Sequence, residues 1–371
     1  MKIRSIETIP VDVPRSARVR IQAAHGVYAA SRFAIVIVRT EDGLEGLGEC
    51  CPELPWTGED QGSCCHFINK YFAPALIGKD ARRITEAVRI MDSLLTRNEY
   101  AKAGVEMALW DLAGKAAGKP LYDLWGGRVR DAVAVKFVVS GAPEHAAELA
   151  QAALANGFNF IKIKTGLGLD VDLKRVRAVR KAIGDSVPLG IDSNQGWSFA
   201  DAYKALPVLE EVRCAFIEQP FTRDPLDATL NFARATRIPL VAHEGMFSRD
   251  DALRLASSRA VSIFAITPPT HGSYVATRDI LGIAHAASIP CLLGSTIELG
   301  IASSFMAHIG VSAPAFDGTV PSDIIGQFYH DEDITTERLA FKGSAVRPPE
   351  GPGLGVSLNR ETVAKFRVDK R

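Results

Sequence analysis

The chain lacks the features that would place it in several broad classes. Basic and acidic residues balance at 43 each, so no positive excess draws it to nucleic acid. No apolar run approaches the roughly 18 residues of a membrane span. The opening MKIRSIETIPVDVP has no apolar leader core and reads as a first strand. Neither a nucleic-acid nor a membrane partner is therefore expected. Cysteine is sparse, six in 371 residues. Two adjacent pairs, Cys50-Cys51 and Cys64-Cys65, with Cys214 and Cys291, give neither a C-x-x-C nor the spacing of zinc ligands. A reduced, cytoplasmic setting is the simplest. A G-x-G-x-x-G after an early strand is also missing, which argues against an open dinucleotide-binding sheet.

What is present is a large apolar fraction, 47%, in a length that allows one large domain and a smaller one. Residues 1 to about 50 alternate as antiparallel strands, with the turn EDG before LEGLGEC. Helical patterns follow to about 117. The clearest is AKAGVEMALWDLAGKAAG, where Val105, Ala108, Leu109 and Leu112 recur at helical spacing and Gly118-Lys119-Pro120 stops the run. Strands followed by helices make a compact α+β unit. Strand-helix alternation then repeats seven times from AVAVKFVVS to IELGIASSFMAHIG, with an eighth short strand expected near 315–320. So many repeats predict an α/β fold with a closed parallel barrel. The Pro- and Gly-rich tail is expected to pack back on the first unit.

Three acids punctuate this alternation. Asp192, Glu218 and Glu244 are each 26 residues apart and close the apolar runs VPLGID, CAFIEQP and IPLVAHE. That interval fits one strand-helix unit, so each acid stands at a strand's C-terminal tip, where barrels carry their chemistry. Three converging carboxylates repel unless a hard cation lies between them, and oxygen ligands suit Mg²⁺. A lone strand-tip acid is often a helix N-cap, but three in succession argue against that. On the preceding strand, FIKIKTG, Lys162 and Lys164 share one face and point inward. A lysine beside another cation and a metal would titrate below its usual range and accept a proton near neutrality. Asn194 lies two residues past Asp192 on the same face, able to orient a water or ligand without adding charge. His243 and Glu244 should face opposite sides of a regular strand. Glu244 is the expected ligand because oxygen suits Mg²⁺ better than imidazole, with His243 the alternative.

The ordered set KIK, DSN, EQP and HE, with the segment GVEMALWDLAGKAAGKPLYDLWGG, resembles the enolase superfamily, in particular its mandelate-racemase- and muconate-lactonizing-like members. The likeness spans nearly the whole chain. It implies a modified TIM-type (β/α)7β barrel at 126–345 under an N-terminal α+β capping domain at 1–125, which the tail 346–371 joins. It implies one Mg²⁺ on Asp192, Glu218 and Glu244, and removal of the proton α to the carboxylate of a small-molecule substrate to form an enediolate. On this reading Lys164 is the acid/base and Lys162 helps neutralise the substrate carboxylate. Homo-oligomers are common in the family.

The chain departs from its pattern at the sixth strand. Many muconate-lactonizing-like members carry a second lysine there, before Gly-Gly; here the region reads VSIFAITPPTHGS, with Thr267 in the lysine's place and His271 nearby. The seventh strand ends LLGSTIELG with no histidine at its tip and with Glu298 where the muconate-lactonizing group often has an acid. One confident base favours one-sided chemistry, a cycloisomerase or dehydratase, over a racemase or epimerase that would need a recruited partner such as His271. A Schiff-base aldolase through Lys164 leaves the acids unexplained, and a non-catalytic acid-binding barrel is the non-enzymatic alternative. Substrate contacts are expected from the capping loops, at His25, Tyr28 and Arg32, and at Glu53, Trp56 and Thr57.

Overall fold

The computed structural model describes residues 1–222 and 226–369. The expected alternating segments become strands Ile3–Pro14, Ala30–Thr40 and Glu45–Cys50, paired antiparallel in that order. The helix Glu99–Ala117 packs on this sheet and buries Val105, Ala108, Leu109 and Leu112 completely. The approach is backbone to backbone. A Cβ on Gly48 would lie 1.9 Å from the Gly104 carbonyl oxygen, so only glycine fits at that contact. Asp111 of the helix ties three segments together. Its carboxylate accepts from Leu47 N at 2.8 Å, from Leu354 N of the tail at 2.9 Å and from Lys115 Nζ at 2.6 Å.

Seven parallel strands follow in chain order: Phe137–Val139, Ile161–Lys164, Leu189–Asp192, Cys214–Glu218, Leu240–Ala242, Ile263–Ile266 and Cys291–Leu293. Each leads into a helix on the outside, from Pro143–Ala155 to Gly300–Ser312. The curled sheet is closed by a short segment rather than a full eighth strand. Ser322 N donates to Ala134 O at 2.7 Å, Lys136 N to Ser322 O at 3.0 Å and Asp323 N to Leu293 O at 2.7 Å. This closure falls just after the expected 315–320. Asp317-Gly318 makes a turn there, with Gly318 at φ 86° and Thr319 N donating to Asp317 Oδ1 at 2.8 Å.

The first barrel segment also divides. Val133–Ala134 pairs with Ala345–Arg347, and only Phe137–Val139 joins the parallel sheet. The helix after strand Cys214–Glu218 runs Leu226–Ala235 within the described residues. The tail returns to the first unit: Leu121 N donates to Gly353 O at 3.1 Å and Val368 N to Pro10 O at 3.1 Å. All six cysteines are free, and no helix among the described residues is long and apolar enough to cross a membrane.

Two buried carboxyls join the N-terminal sheet and helix to the barrel. Glu49 accepts from Leu299 N at 2.8 Å and Ala302 N at 2.9 Å, at the start of helix Gly300–Ser312. Glu106 accepts from Val275 N at 3.1 Å, at the start of helix Tyr274–Ala286. Helix N-termini favour negative charge, yet burial dominates and pushes both carboxyls up to about 8. Burial pushes Glu59 up to about 7. These groups therefore keep protons in the folded state that the unfolded chain releases above its ordinary value of 4.5. Stability must then fall as pH rises toward 8. Three buried histidines, His271, His308 and His330, are pulled down to about 4 by burial and act with the opposite sign, but only below the unfolded value of 6.5. Unfolding midpoints measured across pH should therefore decline from about 6.5 to 8.5. A midpoint rising through that window contradicts this account.

Candidate active site

Strand Ile161–Lys164 turns both lysines inward, as its alternation predicts. Lys162 Nζ lies 2.7 Å from Asp323, 3.1 Å from Glu218 and 3.5 Å from Asp192. Burial alone would lower its pKa, but Asp323, Glu218 and Asp192 outweigh it and hold the amine well above the ordinary lysine value. The depressed value expected for a lysine here is thus not found at Lys162, because carboxylates rather than cations surround it. Lys164 Nζ donates to Asp192 Oδ2 at 2.7 Å and to Asn194 Oδ1 at 2.6 Å. Its backbone is fixed from behind: Arg175 Nη1 donates to Lys164 O at 3.0 Å, and Asp172 binds both Arg175 (2.8 Å) and Gly166 N (2.8 Å).

Asp192 and Glu218 end adjacent strands and are register partners. Burial works against the charged form of Asp192, but Lys164, Lys162 and His243 overcome it and hold the carboxyl below the ordinary range. The third position differs from the expectation. Strand Leu240–Ala242 ends before His243, so its alternation no longer separates His243 from Glu244. The group whose ligand atoms lie within 4.8 Å of one another is Asp192, Glu218 and His243. Glu244 stands at its edge. Its Oε1 accepts from Asn194 Nδ2 at 2.7 Å, and its Oε2 lies 3.7 Å from His243 Nδ1. Both Glu244 Oε2 and His243 Nδ1 are buried without a hydrogen bond, although Nδ1 is only 3.0 Å from Glu218 Oε1. Orphaned buried polar atoms of this kind are rare in folded proteins. Two carboxylates and an imidazole nitrogen around one point are a donor set that fits a divalent cation.

The other singled-out residues surround this cluster. Thr267, at the end of strand Ile263–Ile266, hydrogen-bonds His243 Nε2 at 2.9 Å. Trp56 meets the same imidazole edge-on, with centroids 4.9 Å apart. His271 is held by backbone at both nitrogens: Thr267 N donates to its Nε2 at 3.3 Å, and its Nδ1 lies 3.1 Å from Phe247 O. Glu298 is buried behind the loop it caps, accepting from Ser295 Oγ at 2.5 Å and Thr296 N at 2.8 Å, and does not line the central cavity. A cavity opens over the lysines between the barrel mouth and the N-terminal loops. His25, Tyr28, Glu53 and Trp56 line it. Arg32 instead faces Asp12 at 3.9 Å, and Thr57 holds a turn through Glu59 N at 3.2 Å.

Three residues that sequence reasoning did not single out belong to this centre. Asp323, from the barrel-closing segment, bridges Lys162 to the fully buried Lys136, whose Nζ is 3.1 Å away. A lone lysine in the apolar run AVAVKFVVS was a visible signal for Lys136; Asp323 had none, because no strand pattern marks its segment. Arg15 reaches the cavity just past the first strand. It binds Ser31 Oγ at 3.0 Å and Thr296 O at 3.1 Å, with Glu53 at 3.9 Å. Burial pushes Glu53 up to about 7, opposed by Arg15.

A barrel of parallel strands, with acids at successive tips and paired lysines on the strand before them, defines a class of barrel enzyme. The family model described as mandelate racemase / muconate lactonizing enzyme, N-terminal domain, matches residues 5–126, and that described as enolase C-terminal domain-like matches residues 145–362. The chain belongs to this mandelate racemase and muconate lactonizing family of the enolase superfamily. It is 30% identical over 370 residues to the N-succinyl-L-Arg/Lys racemase of Bacillus cereus, covering 99% of this chain and 98% of that protein. It is 31% identical to muconate cycloisomerase 1 of Pseudomonas putida, covering 98% of each. Its structure is similar to that of muconate lactonizing enzyme from Pseudomonas fluorescens complexed with muconolactone, with a TM-score of 0.94, 34% identity and 99% coverage of each chain.

The clamp on His243 can be probed from its floor. A Cβ on Gly294 would lie 2.5 Å from Thr267 Oγ1 and 2.6 Å from His243 Nε2. Gly294→Ala is expected to break that hydrogen bond and destabilise the fold by roughly 1–3 kcal/mol in denaturant unfolding. An unchanged midpoint contradicts the packing described.

Proposed function

We propose that this protein is a divalent-cation-dependent isomerase or lyase that removes the proton α to a carboxylate using one base, Lys164. The observation that carries this reading is the asymmetry of the cavity. Lys164 presents an amine to it, held by Asp192 and Asn194. Thr267 is engaged with His243, and both nitrogens of His271 face backbone groups, so neither stands free as a second base. The Asp192 and Glu218 carboxylates, with His243 or Glu244, are the residues that would hold a divalent cation; the enolase-superfamily resemblance taken alone implies Mg²⁺. When bound, it would supply positive charge for the electrons that develop on the substrate carboxylate.

The chain's own residues account for the rest. Lys162, kept cationic by its three carboxylate neighbours, adds positive potential beneath the cavity. Lys164 Nζ takes the α-proton. The electron pair of the broken C–H bond forms a C=C bond as the β-oxygen leaves with its electrons, either as the free carboxylate of an opened lactone or, taking the proton from the Lys164 ammonium, as water. In the reverse direction the ammonium returns the proton to the α-carbon on the same face. This accounts for cycloisomerisation or dehydration of a lactone, muconate or hydroxy-acid substrate. His25, Tyr28, Trp56 and Arg15 would meet the distal part of the substrate and exclude water.

A second reading, racemisation or epimerisation, has the N-succinyl-L-Arg/Lys racemase of Bacillus cereus as its support. Turnover of a panel of lactones, muconates, acid sugars and N-acylated amino acids separates the two. Chelation should abolish activity and a divalent cation restore it, and Lys164→Ala should lower kcat by about 10²–10⁴-fold. In D₂O, deuterium should enter at the α-carbon with one configuration; its appearance in both enantiomers of recovered substrate overturns the one-base assignment.

A further inference from the structure

We infer that the nitrogen of His243 makes this centre selective for a first-row transition cation of the Mn²⁺ or Co²⁺ kind over Mg²⁺, with Thr267 as the residue that positions the imidazole. The inference rests on the reading above that a divalent cation works here, and it concerns which cation.

Three independent observations carry it. The atoms that converge are carboxylate oxygens of Asp192 and Glu218 and an imidazole nitrogen of His243. The nitrogen turned toward them, Nδ1, is buried 3.0 Å from Glu218 Oε1, and Glu244 Oε2 beside it at 3.7 Å is buried without a hydrogen bond. The opposite ring nitrogen, Nε2, is 2.9 Å from Thr267 Oγ1. A metal-ligating histidine characteristically has its second nitrogen in such a bond, which sets both the tautomer and the ring direction. With Nε2–H donating to the threonine oxygen, Nδ1 carries its lone pair toward the carboxylates. Trp56 against the ring, at 4.9 Å between centroids, and the bare Gly294 beneath it leave the imidazole little freedom to turn away.

The chemistry of the donors then selects the ion. Mg²⁺ holds to oxygen in near-octahedral geometry and takes imidazole poorly, whereas Mn²⁺, Co²⁺ and their heavier neighbours accept mixed oxygen and nitrogen sets. A neutral imidazole among the converging donors also brings less negative charge to the ion than a third carboxylate ligand would, which disfavours a hard, strongly hydrated ion most.

The test uses full-length protein stripped with chelator and titrated with Mg²⁺, Mn²⁺ or Co²⁺ by calorimetry, with the visible spectrum of bound Co²⁺ as a second readout. Mn²⁺ and Co²⁺ should bind more tightly than Mg²⁺ by at least about tenfold. His243→Asp should erase that preference and change the Co²⁺ spectrum. Thr267→Ala should weaken Co²⁺ binding on the order of tenfold or more, and Thr267→Ser should restore it. Mg²⁺ binding as tightly as Mn²⁺, or an unaltered preference in His243→Asp, overturns the inference while leaving the divalent-cation reading in place. If His243→Asp fails to fold, the wild-type order and the two Thr267 variants decide the matter. Absence of binding by all three ions overturns both.

Discussion

The structure turns on one buried ammonium. Lys162 sits among Asp192, Glu218 and Asp323, with Lys136 on the far side of Asp323. Charges sunk this deep are tolerable only when each is paired and hydrogen-bonded. The pairing sets the geometry of the centre. Asp192 is shared between Lys162 and Lys164, Lys164 is shared with Asn194, and Asn194 reaches Glu244. Moving any one of these groups strands a charge beside it. The side chains of the centre therefore hold one another in place.

The rest of the fold serves to hold the mouth of the barrel over this network. Glu49 and Glu106 reach from the N-terminal sheet and helix to the starts of two barrel helices. Asp111 fastens that sheet to the returning tail. The loops carrying His25, Tyr28 and Trp56 are thereby brought over the lysines, with Trp56 touching His243 directly. The two parts of the chain thus meet at the imidazole, whose ring is surrounded by residues 56, 218, 267 and 294.

Much of this was legible in the residues alone. Seven strand-helix repeats, two in-phase lysines and acids at 26-residue intervals carry periodic signals, and periodicity is a local property of the chain. The places where the reading slipped are places where periodicity ends. His243 and Glu244 lie one step past their strand, so an alternation argument could not say which one turns to the centre. The barrel-closing segment makes its contacts at Ser322 and Asp323 with no strand pattern to announce it. Arg15 stands among neighbouring arginines, and only the position of Thr296 distinguishes it.

The sequence by itself determined the barrel and the order of its chemical groups, because both follow from short-range alternation and spacing; the family came from the likeness of its ordered motifs. Only the tertiary structure decided which atoms meet. Thr267 is an absence in the sequence, a missing lysine; in the fold its hydroxyl turns His243 Nδ1 toward two carboxylates. Residues 24 apart along the chain become hydrogen-bond partners because consecutive parallel strands bring their tips side by side. Which of several tip residues closes the contact depends on where each strand stops, and packing sets that stop.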